Sequence, residues 1–255
     1  MNNNELDYYN RIKNWDFSMI NFKEENLTNW NITRILNDST NKNSVVLDLG
    51  TGGGEKVLND FPDVKEIIGT DFSKEMIKTA KENLRKSGKK NIEFRVMDNL
   101  NMDTPDNYFD VVVARNTPIS AKQIYKTLKN KGKLILRGVD KLDCWQLKRL
   151  FSRGQAFNDD KPVSQVDYEN ILDAGFKNVE LVPIYVREYY KTKEDLLALL
   201  LKTPILDDFS GEIINNNFKE NDSNMKKLDL YIKENTYDNG ILLRRRYYGI
   251  VADKI

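Results

Sequence analysis

The hydrophobic pattern divides the chain near Ser44. Upstream, residues 1–43 are polar with scattered aromatics, Tyr8, Tyr9, Trp15, Phe17 and Trp30. They read as an N-terminal helical cap whose rings pack on the main body, because large aromatics are seldom left in water. Downstream, short apolar runs alternate with amphipathic stretches. Ser44–Leu49 is nearly continuous in apolar residues, as in a strand covered on both faces. Glu66–Asp71, Asn91–Met97, Tyr108–Ala114, Lys133–Val139, Asn178–Tyr190 and Ile241–Ala252 supply further strands. After the second of them Ser73 is placed to cap a helix whose Met76, Ile77, Ala80 and Leu84 share one face, and Ser87-Gly88 ends it. Other helices are expected over 120–129, around Leu142 to Leu150, and over 166–174, 193–202 and 224–234. Strands alternating with helices specify an α/β, doubly wound, mostly parallel sheet with right-handed crossovers. The main domain is 44–255, and the sheet does not need the 191–238 insertion, which reads as a helical lid or substrate module.

The strongest local signal is Val46-Leu47-Asp48-Leu49-Gly50-Thr51-Gly52-Gly53-Gly54-Glu55, between the first strand and a helix. Gly50, Gly52 and Gly54 let the backbone turn sharply and approach a nucleoside cofactor where a Cβ would clash. Asp71 ends the second strand, where an acid can accept from both ribose hydroxyls. A nicotinamide-dependent oxidoreductase is the competing reading. In the G-x-G-x-x-G fingerprint, however, the third glycine would fall at Glu55, an acid that would repel a pyrophosphate. The tighter glycine series with Asp48 before it suits a cofactor with a cationic amino-acid portion and no phosphates.

Composition narrows the chemistry further. The 255 residues contain no histidine and one cysteine, Cys144. Ser-His-Asp and Cys-His nucleophile systems, imidazole bases, histidine metal ligands and an internal disulfide are therefore excluded, and no metal site is expected. A lone cysteine fits a reducing, cytoplasmic setting. No apolar run is long enough for a membrane span, and the N-terminus lacks the features of a secretory signal. The net charge of +1 argues against nonspecific polyanion binding. Cys144, beside Trp145 in an apolar helical pattern, reads as structural, and Arg244-Arg245-Arg246 as a solvated strand face with a phosphate track as the alternative.

These motifs together resemble the class I S-adenosylmethionine-dependent methyltransferases over residues 44–140, more loosely to about 190 and in the final strand. Trp15-Asp16-Phe17-Ser18 together with Leu49–Glu55 resembles, more narrowly, a type 11/25-like bacterial subgroup of them. The resemblance implies a Rossmann-like, seven-stranded sheet of order 3-2-1-4-5-7-6 with strand 7 antiparallel. It implies S-adenosyl-L-methionine as cofactor, with Gly50, Thr51, Gly52 and Gly54 lining its methionine portion and Asp48 helping to hold its ammonium. Asp71 would bind the ribose, Phe72 and Met76 would pack near the adenine, and Asp98 with the Asn99 backbone would meet its exocyclic amine. Ala114, Arg115 and Asn116 fall where the family opens its active site, so Arg115 and Asn116 are the expected substrate-positioning residues.

The implied activity is in-line methyl transfer to a small-molecule acceptor. Asp140, Glu188, Tyr189 and Tyr190 stand where a base would be sought. RNA is the alternative acceptor; Asn116-Thr117-Pro118-Ile119 departs from the Asn-Pro-Pro-aromatic motif of nucleic-acid N-methyltransferases at Thr117 and Ile119. A non-catalytic nucleoside-cofactor-binding module is the reading from another class.

Overall fold

A computed structural model of the chain describes Tyr8 and residues 17–209 and 223–255. Tyr9, Trp15, Asp16 and the asparagine runs at Asn2–Asn4 and Asn215–Asn217 lie outside the described residues. The strands are β1 (Phe22–Asn26), β2 (Val45–Leu49), β3 (Glu66–Asp71), β4 (Ile92–Val96), β5 (Phe109–Arg115), β6 (Leu128–Val139), β7 (Lys177–Tyr190), β8 (Thr236–Tyr237) and β9 (Gly240–Asp253). The helices are α1 (Ile32–Asp38), α2 (Glu55–Asp60), α3 (Lys74–Ser87), α4 (Ala121–Thr127), α5 (Trp145–Phe151), α6 (Val163–Asp173), α7 (Lys193–Lys202) and α8 (Ser223–Asn235).

The sheet has nine strands, not seven. Its order is β1-β7-β9-β6-β5-β2-β3-β4, with β8 on β9. The pairs from β4 through β3, β2 and β5 to β6 are parallel, and β9 is antiparallel to both β6 and β7. The two additions correct the expected seven-strand order. β8 forms a short hairpin with the start of β9. β1 comes from the preface expected to be helical and pairs antiparallel with β7, covering what would otherwise be an open edge. All five β1 residues, Phe-Lys-Glu-Glu-Asn, are exposed, so no period-two apolar pattern announced the strand. Among its described residues the preface also supplies the helix α1, capped by the Asn31 side chain accepting from the Arg34 N–H.

Helices cover both faces of the parallel part. On one, Ile124 of α4 and Ile171 of α6 join Leu47, Val112 and Leu136. On the other, Leu36 of α1, Val57 of α2 and Ile77 and Ala80 of α3 join Val46, Val113 and Ile135. Trp30 belongs to this second face: a Cβ on Gly249 would lie 2.4 Å from its indole, so the bare β9 backbone makes room for the ring. The described helices of the insertion have a core of their own, in which Leu196, Leu199 and Leu200 of α7 and Leu228 and Tyr231 of α8 pack with Leu147 and Phe151 of α5 and with Tyr190. Among the described residues no helix is long and apolar enough to cross a membrane.

Candidate functional site

Strands β2, β3 and β5 end at one edge of the sheet, the edge where open α/β folds bind ligands. The turn after β2 is held there by its glycines. Gly50, Gly52 and Gly54 have φ of 74°, 57° and 79°. A Cβ on Gly50 would come within 2.7 Å of the Thr117 side chain, and one on Gly54 within 2.7 Å of the Phe94 ring. Thr117 also accepts from the Asn99 amide at 2.9 Å, and Asn99 accepts from the Thr70 hydroxyl at 3.4 Å. The segments following β2, β4 and β5 are thereby tied into one rim.

Asp71 is buried at this rim, with each carboxylate oxygen engaged by a backbone N–H. Oδ2 accepts from Gly52 at 3.0 Å and Oδ1 from Ser73 at 2.9 Å. Burial raises its carboxyl above the ordinary aspartate value, and these two hydrogen bonds oppose the rise. Each oxygen keeps a lone pair for a further donor. Ser73 meanwhile caps α3 by accepting from the Met76 N–H, as expected of it.

Asp48 is wholly buried, and it is not a free carboxylate facing a ligand. Arg115 Nη2 donates to its two oxygens at 3.2 and 3.0 Å. Burial raises the Asp48 carboxyl and the Arg115 charge opposes it. A carboxylate paired in this way can help hold a cationic group only together with the arginine charge beside it. Arg115 keeps Nε buried without a hydrogen-bond partner among the described residues, and its guanidinium lies 5.2 Å from the Phe61 ring.

The other expected residues divide by exposure. Phe72 is half-buried and Asp98 is exposed, its Oδ1 accepting from the Leu100 N–H. Asn99 is buried, with its side chain spent on the rim. Met76, 1% exposed, and Ala114, 0% exposed, pack inside the protein. Asn116 is exposed with φ of 51°, and its Oδ1 accepts from Arg137 Nη1 at 3.1 Å. Arg137 was not singled out from the sequence, although it is the one charge in the apolar run Leu134–Val139, a signal available there.

The arginine triplet is divided between the two faces of its strand. Arg244 and Arg246 are exposed, whereas Arg245 is buried, donating to Asp143 at 3.0 Å through Nε and to Glu188 at 3.1 Å through Nη1. Arg245 shares its strand face with Leu243 and Tyr247. The cluster also changes the search for a base. Glu188 is bound to Arg245 and accepts from the Tyr190 hydroxyl at 2.6 Å, a hydroxyl pushed far up by burial and by that acid. Asp140 accepts from the Ser164 hydroxyl, and Tyr189 lies near Glu25. Cys144 is buried, and burial raises its thiol well above the ordinary value, which suits a packing role. Among the described residues no group of three acids or thiols is placed to hold a metal ion.

Comparison with known proteins agrees with this geometry. Residues 40–195 match a family described as a methyltransferase domain. The chain is 30% identical over 98 residues to YcgJ of Bacillus subtilis, named an uncharacterized methyltransferase, covering 36% of this chain and 39% of that protein. It is 32% identical over 127 residues to the demethylmenaquinone methyltransferase of Lactococcus lactis, covering 46% of this chain and 50% of that protein. The chain thus spans half or less of the length of these curated relatives. The crystal structure of YcgJ superposes with a TM-score of 0.55 at 19% identity, covering 88% of this chain and 97% of that one. Phosphoethanolamine N-methyltransferase 2 of Haemonchus contortus, in complex with phosphomonomethylethanolamine and S-adenosylhomocysteine, superposes with a TM-score of 0.53 at 20% identity, covering 88% and 52%. At such identities the superpositions show a shared fold.

Proposed function

Because the chain belongs to the methyltransferase-domain family, we propose that it is an S-adenosylmethionine-dependent methyltransferase acting on a small molecule. The observation that carries this reading is Asp71, a buried carboxylate fixed by the Gly52 and Ser73 N–H groups directly beside a turn of three positive-φ glycines. An acid so placed suits a ribose diol, and the absence of Cβ atoms suits close approach of a nucleoside. The unpartnered Arg115 Nε in the same rim is a donor left for an anionic group such as a cofactor carboxylate.

The cofactor, when bound, supplies a methyl group already activated on a sulfonium. The residues would divide the remaining work by position. Gly50, Thr51, Gly52 and Gly54 would cradle the methionine portion, with the Arg115–Asp48 pair as its ionic counterpart. Phe72, Asp98 and the Asn99 backbone would receive the adenine. Asn116 would help orient the acceptor, which must sit about 3 Å from the methyl in line with the bond that breaks. The insertion 191–238 and the preface would exclude water over that side, anchored through the α5–α7–α8 core and through Trp30 on β9.

No histidine is present, and Glu188 and Tyr190 are occupied with Arg245 and with each other. An acceptor whose attacking atom already carries a free lone pair asks least of the chain, and for an acceptor that needs a base Asp140, whose Oδ1 has no partner among the described residues, is the carboxylate left.

Titration calorimetry with S-adenosylhomocysteine and, separately, NAD tests the reading. Saturable binding of the first with no response to the second is expected, and the reverse would make the protein a nicotinamide enzyme. Incubation with labelled cofactor and fractionated cell extract then tests the acceptor. Label in the metabolite fraction is expected; label confined to RNA would replace the small molecule by RNA, and binding without transfer would leave a cofactor-binding module.

A further inference from the structure

Three arginines share one face of the sheet near the edge described above, and two of them are neutralised. Arg115 on β5 is paired with Asp48, and Arg245 on β9 with Asp143 and Glu188. Arg137 lies between them on β6, in register with Arg115 on one side and Gly249 on the other. Register partners in neighbouring strands present their side chains to the same face. Arg137 has no carboxylate within ion-pairing distance among the described residues. Its contacts are the Asn116 Oδ1, at 3.1 Å, and the Tyr247 ring, whose centroid is 3.7 Å from the guanidinium carbon.

A half-buried guanidinium without a counter-ion is costly, because an arginine stays charged at every physiological pH and partial burial removes part of its water. This one is also held in place. Tyr247 is buried and supports the guanidinium, while Asn116 fixes one edge from a left-handed turn at the β5 exit. Two effects follow from that arrangement: the guanidinium N–H groups not bonded to Asn116 are left for an acceptor, and the entropy of ordering the side chain is already spent before any ligand arrives. We propose that Arg137 is the subsite for an anionic group, a carboxylate or a phosphate, on the methyl acceptor. Within the methyltransferase reading, on which this rests, Arg137 is a specificity-determining residue: Asn116, at the expected methyl-transfer opening, links the anion fork to the cofactor rim. The substrate class is thereby narrowed to small anionic molecules.

Nuclear magnetic resonance of the arginine Nε–H groups in the full chain saturated with S-adenosylhomocysteine tests it. Inorganic phosphate and acetate are titrated in separate arms at constant ionic strength, with chloride as the control. A saturable shift of the Arg137 resonance with phosphate, acetate or both is expected, and the stronger arm identifies which anion the acceptor carries. With anion binding followed by titration calorimetry, Arg137→Gln should weaken that anion by about tenfold or more relative to the wild type while S-adenosylhomocysteine affinity is retained, and Arg137→Lys should recover part of the loss. Melting curves of both variants establish that they are folded, and the lysine variant carries the test if the glutamine variant is not. Absence of saturation in both arms, or saturation undiminished in a folded variant without the guanidinium, overturns the subsite. Failure of the folded wild-type chain to bind S-adenosylhomocysteine overturns the methyltransferase reading instead, so the two failures are distinguishable.

Discussion

Arg115 holds Asp48 from below the ligand-binding rim: one guanidinium nitrogen reaches both oxygens of a carboxylate that has no solvent exposure. The pair joins the ends of β5 and β2, so it sets the floor of the site before any ligand binds. Removing Arg115 would leave the carboxylate buried and uncompensated. Arg115→Ala is expected to cost about 3 kcal/mol or more, read as a lowered midpoint in urea unfolding. Asp48→Asn, which removes the buried charge and keeps the shape, should cost less, and an equal loss would mean that the pair is not what holds the floor.

Gly50 has little freedom to change. Its φ is +74° and an added Cβ would sit 2.7 Å from the Thr117 Cβ. Gly50→Ala therefore combines backbone strain with a clash, for a loss of about 1–3 kcal/mol. S-adenosylhomocysteine binding should fall with it, because Thr117 connects the turn to Asn99. Calorimetry on the folded variant at low temperature separates the two effects.

Asp71→Ala should weaken S-adenosylhomocysteine binding by about 1–3 kcal/mol while unfolding stays cooperative. Some stability should also be lost, since the Gly52 and Ser73 N–H groups lose their acceptors. Unchanged affinity would place the ribose elsewhere.

Asp167 offers a pH signature away from the site. Burial raises its carboxyl above the ordinary 3.8, and the Tyr248 hydroxyl donating to it opposes the rise. A folded-state value above the unfolded one means that the protonated acid favours the folded chain. The contribution is complete below 3.8 and is lost as pH rises through the folded value. Asp167→Asn keeps an acceptor for Tyr248 and cannot ionise. Urea midpoints measured across that window should fall less steeply with rising pH in the variant than in the wild type, and parallel profiles would contradict the assignment.

Arg245 tests the buried cluster. Its removal strands both Asp143 and Glu188, and Arg245→Met is expected to destabilise by about 3–5 kcal/mol in chemical unfolding. A loss well under this would mean that water reaches the two acids.

The sequence by itself determined the elements whose causes are local. The apolar runs of β2, β3 and β5, the glycine turn, the Ser73 cap and the helix over 193–202 are all written in neighbouring residues, and the structure places them within a residue or two of expectation. Asp71 was legible for the same reason, since a strand end fixes where its last side chain lies. Tertiary structure decided what depends on partners far along the chain. β1 has no hydrophobic face and exists because β7 offers an unpaired edge. Asp48 meets Arg115, and Arg245 meets Asp143 and Glu188, only once strands distant in sequence lie side by side. The same Arg-rich strand that looked like a solvated face divides into exposed Arg244 and Arg246 and buried Arg245, because the pleat sends alternate side chains to opposite faces and only the assembled fold says which face is covered. Arg137 completes the contrast. Its type and strand were readable, but the absence of a neutralising acid beside it is a property of the whole fold.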